Sequence, residues 1–305
     1  MTGQSQSIAA KQIRAALAAG LARFNGAGVP SPALSAELLL MHVIERDRAW
    51  LYAHSEQELS TEQAAAYARL LDARAAGAPT QYLTGRQEFW GLDFKVTPAV
   101  LIPRPETEHL IEVALERLGA RRGEPLAVAD VGTGSGCIAV ALAHELPRAR
   151  FVATDISSEA LEVARRNAAR HGVLERIEFS RMDLLEDFLR TSSSGGRETS
   201  AFDLIVSNPP YVARNDADEL QREVRDHEPE VALFGGPTGV EIYARLIEQA
   251  SLLLRHGGVL VLELGYNAPD HVRSLLAAQP GWVDVSVTND LAGIPRVIAA
   301  VRVSF

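Results

Sequence analysis

The stretch Leu126-Ala127-Val128-Ala129-Asp130-Val131-Gly132-Thr133-Gly134-Ser135-Gly136 decides how the chain is read. Its first half is an apolar run of strand length. Its second half is a turn built on glycines, and a helical pattern follows at 136–146. Glycine tolerates the backbone of a sharp strand-to-helix turn and lets a ligand press against the main chain. The spacing is G-x-G-x-G, not the G-x-G-x-x-G of a dinucleotide fold, and the phosphate-binding lysine of a P-loop is missing. Taken alone, such a turn also suits nicotinamide or flavin cofactors.

From Leu126 onward, strands and helices alternate, the mark of an α/β sheet. Apolar runs predict strands at 126–130, 151–155, 177–180, 203–207, 258–264, 283–287 and 296–303, with helices notably at 136–146, 158–171 and 239–255. The connection between the last two strands is too short for a helix, so that pair is expected to be antiparallel. The expected fold is α/β, a Rossmann-like seven-stranded sheet with its last strand antiparallel. Upstream, residues to about 83 read as helical. Ile8, Ile13, Leu17, Leu21 and Phe24 recur at helical spacing, and Gly26 and Gly28 interrupt them. Ser31-Pro32 restarts a helix, with serine as N-cap and proline in the first turn. Ser60 and Gln63 form a capping-box pattern before a helix reaching about Ala76. Phe89, Leu92, Phe94 and Val96 around Gly91 suggest a hairpin. Glu106 or Thr107 is expected to start a helix through Leu118. The expected domains are 1–83, an N-terminal helical substrate-recognition domain; 84–104, a hairpin linker; and 105–305, the α/β domain. Thr191-Ser192-Ser193-Ser194-Gly195-Gly196 reads as a flexible surface insertion.

The chain has 305 residues, 47% hydrophobic, enough for one large domain or two ordinary ones. Its net charge of −9 opposes a broad, non-specific hold on nucleic acid. Lys11 and Lys95 are the only lysines, a composition bias rather than a functional signal. The helical segment to residue 83 carries seven basic and seven acidic residues, so it suits packing or a protein partner better than DNA. Cys137, the single cysteine, excludes an intramolecular disulfide and fits a reducing cytosol. Without a histidine partner in view, it reads as a small buried residue rather than a nucleophile. Residues 1–14 lack a signal-peptide core, and no run approaches the roughly 18 apolar residues of a membrane span. The eight histidines are scattered without metal-ligand spacing. A cytoplasmic protein without metal is expected.

Asn208-Pro209-Pro210-Tyr211 closes the strand at 203–207. Prolines have no N–H to donate and cannot continue a central strand. Asn208 precedes a proline and is held extended, and its side-chain carbonyl is a further acceptor. The result is a stiff, acceptor-rich lip, with a tyrosine to cover a flat group. It suits an –NH2 on a planar system, either an amide or a nucleobase amine. Taken alone, the same prolines simply end a strand. Asp155 ends the second strand, nineteen positions past Gly136. A carboxylate there can accept both hydroxyls of a ribose, or serve as a helix N-terminal acid beside Ser157 and Ser158. Asp183, after the third strand, can meet an adenine amine or be a plain loop acid. In an open α/β sheet, ligands bind beyond the carboxyl ends of the strands at the switch point. With the first and fourth strands adjacent, Gly132–Gly136 and Asn208–Tyr211 face one crevice. That is the layout of an S-adenosylmethionine-dependent methyltransferase.

Over nearly its whole length the chain resembles the release-factor glutamine methyltransferase family (HemK/PrmC). Four segments match in order: Gln81-Tyr82-Leu83-Thr84-Gly85 with Phe89 and Gly91; Pro103-Arg104-Pro105-Glu106-Thr107-Glu108; the Gly132–Gly136 turn; and Asn208-Pro209-Pro210-Tyr211. Glu228-Pro229 with Ala232-Leu233, Gly235-Gly236 and Gly239 also fits, as does Asp290-Leu291-Ala292-Gly293. Pro103–Glu108 is where the ribosomal-protein glutamine methyltransferase relatives differ. The resemblance implies a Rossmann-like seven-stranded class I methyltransferase sheet with S-adenosyl-L-methionine as cofactor and S-adenosyl-L-homocysteine as product. It implies as substrate the Gln side chain of the Gly-Gly-Gln motif in class-1 peptide chain release factors, with the helical domain helping to bind that partner. It implies cofactor contacts from Gly132, Thr133, Gly134, Ser135, Gly136, Asp155, Asp183, Leu184 and Asn208. Substrate contacts fall to Asn208, Pro209, Pro210 and Tyr211, of which Asn208, Pro209 and Tyr211 form the catalytic set and Tyr211 packs on the amide plane. Relatives often carry an aromatic residue where this chain has Leu184, so aliphatic contact would replace stacking on adenine. No direct nucleic-acid or membrane partner is expected.

Two other readings compete. A nucleic-acid amino-methyltransferase, acting on adenine N6 or guanine N2, shares the –NH2 problem and hence the lip. It needs a basic, aromatic-rich surface or a base-flipping pocket, which the acidic balance opposes. A non-catalytic module would keep the cofactor fold for interaction alone, and the intact turn and lip argue against it.

Overall fold

The computed structural model describes residues 12–193 and 202–303. Seven strands form the main sheet: β1 (Ala127–Val131), β2 (Arg150–Asp155), β3 (Ile177–Arg181), β4 (Phe202–Ser207), β5 (Leu254–Glu263), β6 (Trp282–Asn289) and β7 (Pro295–Arg302). Their order is β3-β2-β1-β4-β5-β7-β6. β7 is antiparallel to both neighbours, and the other pairs are parallel. This is the expected doubly covered α/β sheet, with β1 and β4 adjacent at the switch point. One strand starts earlier than the sequence suggests. The apolar run predicts a strand at 258–264, yet β5 begins at Leu254. Arg255-His256-Gly257-Gly258 form a bulge, so the partner of β4 jumps from Leu254 to Val259 between Phe202 and Leu204.

The sheet is covered on both faces, which is why its central strands read as near-continuous apolar runs. On one face Val128, Leu204, Val206 and Val261 meet the helices Glu108–Leu118 and Cys137–Glu145. On the other, Ala129, Val131, Ile205 and Leu262 meet the helices Glu241–Leu253 and Pro269–Ala277. Asp203 is a charge inside β4 and is kept there by partners. It accepts from Ala127 N–H at 2.8 Å and from Arg121 at 2.7 Å, and pairs also with Arg255.

The chain divides into two compact units. One gathers the described residues up to Arg86 together with Gln221–His227; the other holds Gln87–Leu220 and the described residues from Glu228. The first is built from helices Ile13–Gly26, Pro32–Ile44, Arg48–Ala53, Thr61–Ala75 and Thr80–Thr84 around Phe24, Leu39, Leu40, Leu51 and Tyr67. The capping box of Ser60 and Gln63 is formed. Ser31 stands at an N-cap but in a left-handed conformation (φ 47°), and its side chain accepts nothing from the helix. Pro32 therefore sets that helix start, not the serine hydroxyl. The short helix Arg48–Ala53, which periodicity did not reveal, is capped by Asp47 accepting from Trp50 N–H at 2.7 Å. Helix Arg222–His227 comes from far along the chain. Its Glu223 pairs with buried Arg74, and Arg222 donates to the Ala76 carbonyl at 3.1 Å.

Arg86–Phe89 and Leu92–Lys95 make the expected hairpin, which from Gln87 on belongs to the second unit. Trp90 (φ 55°) and Gly91 (φ 70°) at its tip are both left-handed, which matches the twist of a two-residue turn. Phe89 and Phe94 enter the first apolar layer, and Asn167 clasps the Lys95 backbone, accepting its N–H at 2.8 Å and donating to its carbonyl at 3.0 Å. A 3₁₀ turn, Pro105–Thr107, leads into the helix from Glu108, and the Thr107 side chain does not cap it. Ile8 and residues 194–196 of the expected insertion lie outside the described residues, whereas Thr191–Ser193 end the helix Glu186–Ser193. No described helix is long and apolar enough to cross a membrane.

Candidate functional site

A cavity of about 490 Å³ opens beyond the carboxyl ends of β1–β4, within the size range of small-molecule sites. The glycine turn supplies part of its wall. Gly132 (φ 71°) and Gly134 (φ 55°) are left-handed, as the turn demands. The N–H groups of Gly132 and Thr133 both donate to the Thr154 carbonyl at 2.9 Å, tying the end of β1 to β2. A Cβ added at Gly132 would meet nothing within 4 Å, so a ligand has open access to that main chain. Gly136 behaves differently. It is not on the cavity wall, and a Cβ there would sit 3.0 Å from Ala164 Cβ. The lack of a side chain at Gly136 lets helix Cys137–Glu145 approach helix Ser158–Arg170.

Beneath the turn, Asp130 is fully buried. Its Oδ2 accepts from Thr133 Oγ1 at 2.6 Å and Ala139 N–H at 3.1 Å, while Oδ1 meets no donor among the described residues. Burial pushes its carboxyl up to about 7 despite those donors. Cys137 borders the cavity, and burial pushes its thiol up to about 12, which removes the thiolate a nucleophile needs.

Asp155 faces the cavity from the end of β2. Its Oδ2 accepts from Gly134 N–H and its Oδ1 from Ser157 N–H, each at 2.9 Å. Burial raises its carboxyl above the ordinary range, opposed by the N–H groups of Ser157, Gly134 and Ile156. Capping of the following helix falls instead to Ser157, whose Oγ accepts from Ala160 N–H at 3.1 Å. Each Asp155 oxygen keeps a lone pair for a further donor. Asp183 stands across the cavity, held by Arg245 at 2.7 Å; Arg245 also reaches Glu186 at 3.0 Å. Leu184 is left-handed (φ 52°) and lines the wall beside Met182.

Asn208 and Pro210 lie on the cavity wall, and the Pro209 between them in sequence is buried. Asn208 Nδ2 donates to Thr107 Oγ1 at 3.2 Å, and Thr107 donates to Glu263 Oε2 at 2.6 Å. Tyr211 is not on the wall. Its hydroxyl reaches Glu263 Oε1 at 3.4 Å and its ring rests on Gly265, where a Cβ would be 2.7 Å from the ring. The hydroxyl of the partly buried Tyr211 thus has Glu263 as its acceptor. Glycines also back the lip. A Cβ at Gly235 would lie 2.4 Å from the Pro210 carbonyl oxygen, and one at Gly239 2.4 Å from that of Tyr211.

Glu263 is fully buried, and desolvation pushes its carboxyl up to about 7. Thr107, Arg296 and Tyr211 oppose the shift, and Glu106 adds to it. The folded values of Glu263 and Asp130 lie above those of the unfolded chain. Between the ordinary carboxylate range and about 7 these two groups therefore hold more protons in the folded chain, and the stability they contribute is lost as pH rises. Glu263→Gln cannot ionise, so its Tm is expected to fall less than the parent's between about pH 5 and 7.5. Equal falls by calorimetry would place the effect in other groups.

Periodicity did not reveal Thr107, Glu263, Arg104 or Arg245. Arg104, on the cavity wall, donates to buried Glu228 at 2.6 Å. Glu263 had a signal, being a lone acid in the apolar run Val259–Leu264. Among the described residues, no three His, Cys, Asp or Glu side chains gather in a way that could hold a metal ion.

Two family models match in tandem, a PrmC N-terminal domain over residues 15–85 and a Methyltransferase small domain over residues 110–226. The chain is 47% identical to the release factor glutamine methyltransferase of Koribacter versatilis (strain Ellin345), covering 94% of this chain and 97% of that one. It is 44% identical to the like-named protein of Chlorobaculum tepidum, covering 90% and 92%. Among solved structures, the hMettl16 catalytic domain in complex with MAT2A 3′UTR hairpin 6 aligns with a TM-score of 0.55 at 20% identity. The alignment covers 77% of this chain and 84% of that one, a likeness of fold alone.

Proposed function

The chain belongs to the release factor glutamine methyltransferase family, and from that premise we propose that it transfers a methyl group from S-adenosyl-L-methionine to a release-factor glutamine. The acceptor is the side-chain amide nitrogen of the Gln in the Gly-Gly-Gln motif of class-1 peptide chain release factors. One observation carries this reading: Asn208 shares a cavity with the Gly132–Ser135 turn, and its Nδ2 is tied to Thr107, which leaves Oδ1 to accept.

An amide nitrogen is a poor nucleophile because its lone pair is delocalised into the carbonyl. Asn208 Oδ1 and the Pro209 carbonyl each accept one N–H of the substrate amide. They aim its nitrogen into the cavity and disfavour the planar resonance form. Acceptors fixed where positive charge develops stabilise the transition state, and positioning supplies up to roughly 7–11 kcal/mol. Tyr211 contributes by bracing the lip through Glu263. The amide proton passes to solvent after transfer. When bound, S-adenosyl-L-methionine supplies a methyl carbon made electrophilic by its sulfonium and leaves as S-adenosyl-L-homocysteine. The open main chain at Gly132 and the carboxylate of Asp155 fit such a nucleoside. Asp155 would accept ribose hydroxyls, Asp183 would meet the adenine amine, and Leu184 would cover the base. Residues 1–83 serve partner recognition, the 84–104 hairpin links, and 105–305 carries the transfer, which takes place in the cytoplasm.

Incubation with labelled S-adenosyl-L-methionine and a release factor, followed by mapping of the label by mass spectrometry, tests the reading. Label anywhere but the Gly-Gly-Gln glutamine overturns it. Asp155→Ala is expected to weaken cofactor binding by about one to two orders of magnitude, as for lost hydrogen bonds to a charged group. Unchanged affinity by titration calorimetry would remove Asp155 from the site.

A further inference from the structure

We propose that Thr107 and Glu263 are positioning residues for the transfer, fixing the side-chain amide of Asn208 so that Oδ1, and not Nδ2, faces the cavity. The inference rests on the reading of Asn208 as the acceptor that grips the substrate amide.

The two ends of an asparagine amide are nearly the same shape but opposite in function. Turned one way, Asn208 accepts from a substrate –NH2. Turned the other, it presents a donor to a donor and repels it. Something must choose, and the choice follows from a count of hydrogens. A hydroxyl has a single hydrogen. That of Thr107 goes to Glu263 Oε2, 2.6 Å away. Oγ1 can then only accept from Asn208, and what it accepts is an Nδ2 hydrogen at 3.2 Å. Reversing the amide would set Oδ1 against an oxygen with no hydrogen to offer.

Glu263 is itself fixed. It ends β5, its backbone carbonyl accepts from Tyr243 Oη at 2.8 Å, and its Oε1 faces the Tyr211 hydroxyl at 3.4 Å. One buried carboxylate thus reaches both ends of the Asn208–Tyr211 lip, Asn208 through Thr107 and Tyr211 directly. Thr107 lies 101 positions before Asn208 in the chain and Glu263 follows Asn208 by 55 (263 − 208), so no local pattern joins them.

Thr107→Val keeps the shape and removes the hydroxyl; Thr107→Ser restores it. Thr107→Val is expected to lower kcat on a release factor by about 10- to 100-fold, with cofactor affinity unchanged, and Thr107→Ser to recover most of the loss. A second readout needs no activity. In ¹⁵N-asparagine-labelled protein, the Asn208 side-chain NH2 signals, assigned by their loss in Asn208→Ala, should shift and exchange faster in Thr107→Val but not in Thr107→Ser. Full activity in Thr107→Val with unshifted signals overturns the inference, as does equal loss in the valine and serine variants. If the parent chain itself labels no release factor, it is the functional reading that fails. The NMR comparison still decides whether Thr107 holds the amide.

Discussion

Alanine in place of Asn208 is expected to lower kcat by about two to three orders of magnitude while cofactor affinity stays within about a factor of two. The substitution keeps Cβ and removes the group that both accepts from the substrate and is held by Thr107. The glycine turn and Asp155 sit on other strand ends, and their hydrogen bonds to Thr154 and Gly134 do not involve Asn208. Single-turnover rates with labelled cofactor and a release factor measure the first quantity, and titration calorimetry the second. If both fall together, Asn208 supports the fold of the cavity rather than the transfer.

A second large effect is expected from Gly235→Ala, although Gly235 itself does not line the cavity. Gly235 is not in the left-handed region, so alanine brings no conformational penalty of its own. Its Cβ, however, would lie 2.4 Å from the Pro210 carbonyl oxygen and 2.9 Å from that of Gly239. Both obstacles are backbone, so no flexible side chain can swing aside. The lip has to move, and overpacking of this kind costs about 1–3 kcal/mol. A displacement near 1 Å at a reacting group costs about 100-fold in rate, so kcat should fall by that order with only a modest loss of Tm. Gly123→Ala, with nothing within 4 Å of its Cβ, is the matched control and should leave both unchanged. Normal turnover in Gly235→Ala would mean that the position of the lip is not critical.

What could be read in the sequence follows from the range of the forces involved. The β1 strand, its glycine turn and the antiparallel β6–β7 pair are short-range features, set by side-chain period, glycine conformation and loop length. They were legible. So was Asn208, because two following prolines dictate its backbone. The partner of the Tyr211 hydroxyl is not legible locally, because Glu263 lies on another strand. Gly136 shares its conformation with Gly132 and Gly134, and only the neighbouring Ala164 shows that a helix packs against it. The early start of β5 was hidden because Gly257-Gly258 carries the same signal in a bulge as in a turn. Thr107 does stand at the start of the helix from Glu108, but nothing local announces its bond to a carboxylate 156 residues away.

The return of Gln221–His227 to the helical unit has a practical corollary. The polypeptide passes between the two units three times, not once. A truncation that stops after Arg86 would deprive Arg74 of the glutamate that neutralises it, and the complementary fragment would carry an orphaned helix. Anyone dissecting this enzyme into separately expressed halves will need a graft of that helix, or a circular permutation, to obtain a helical fragment with its native charge balance.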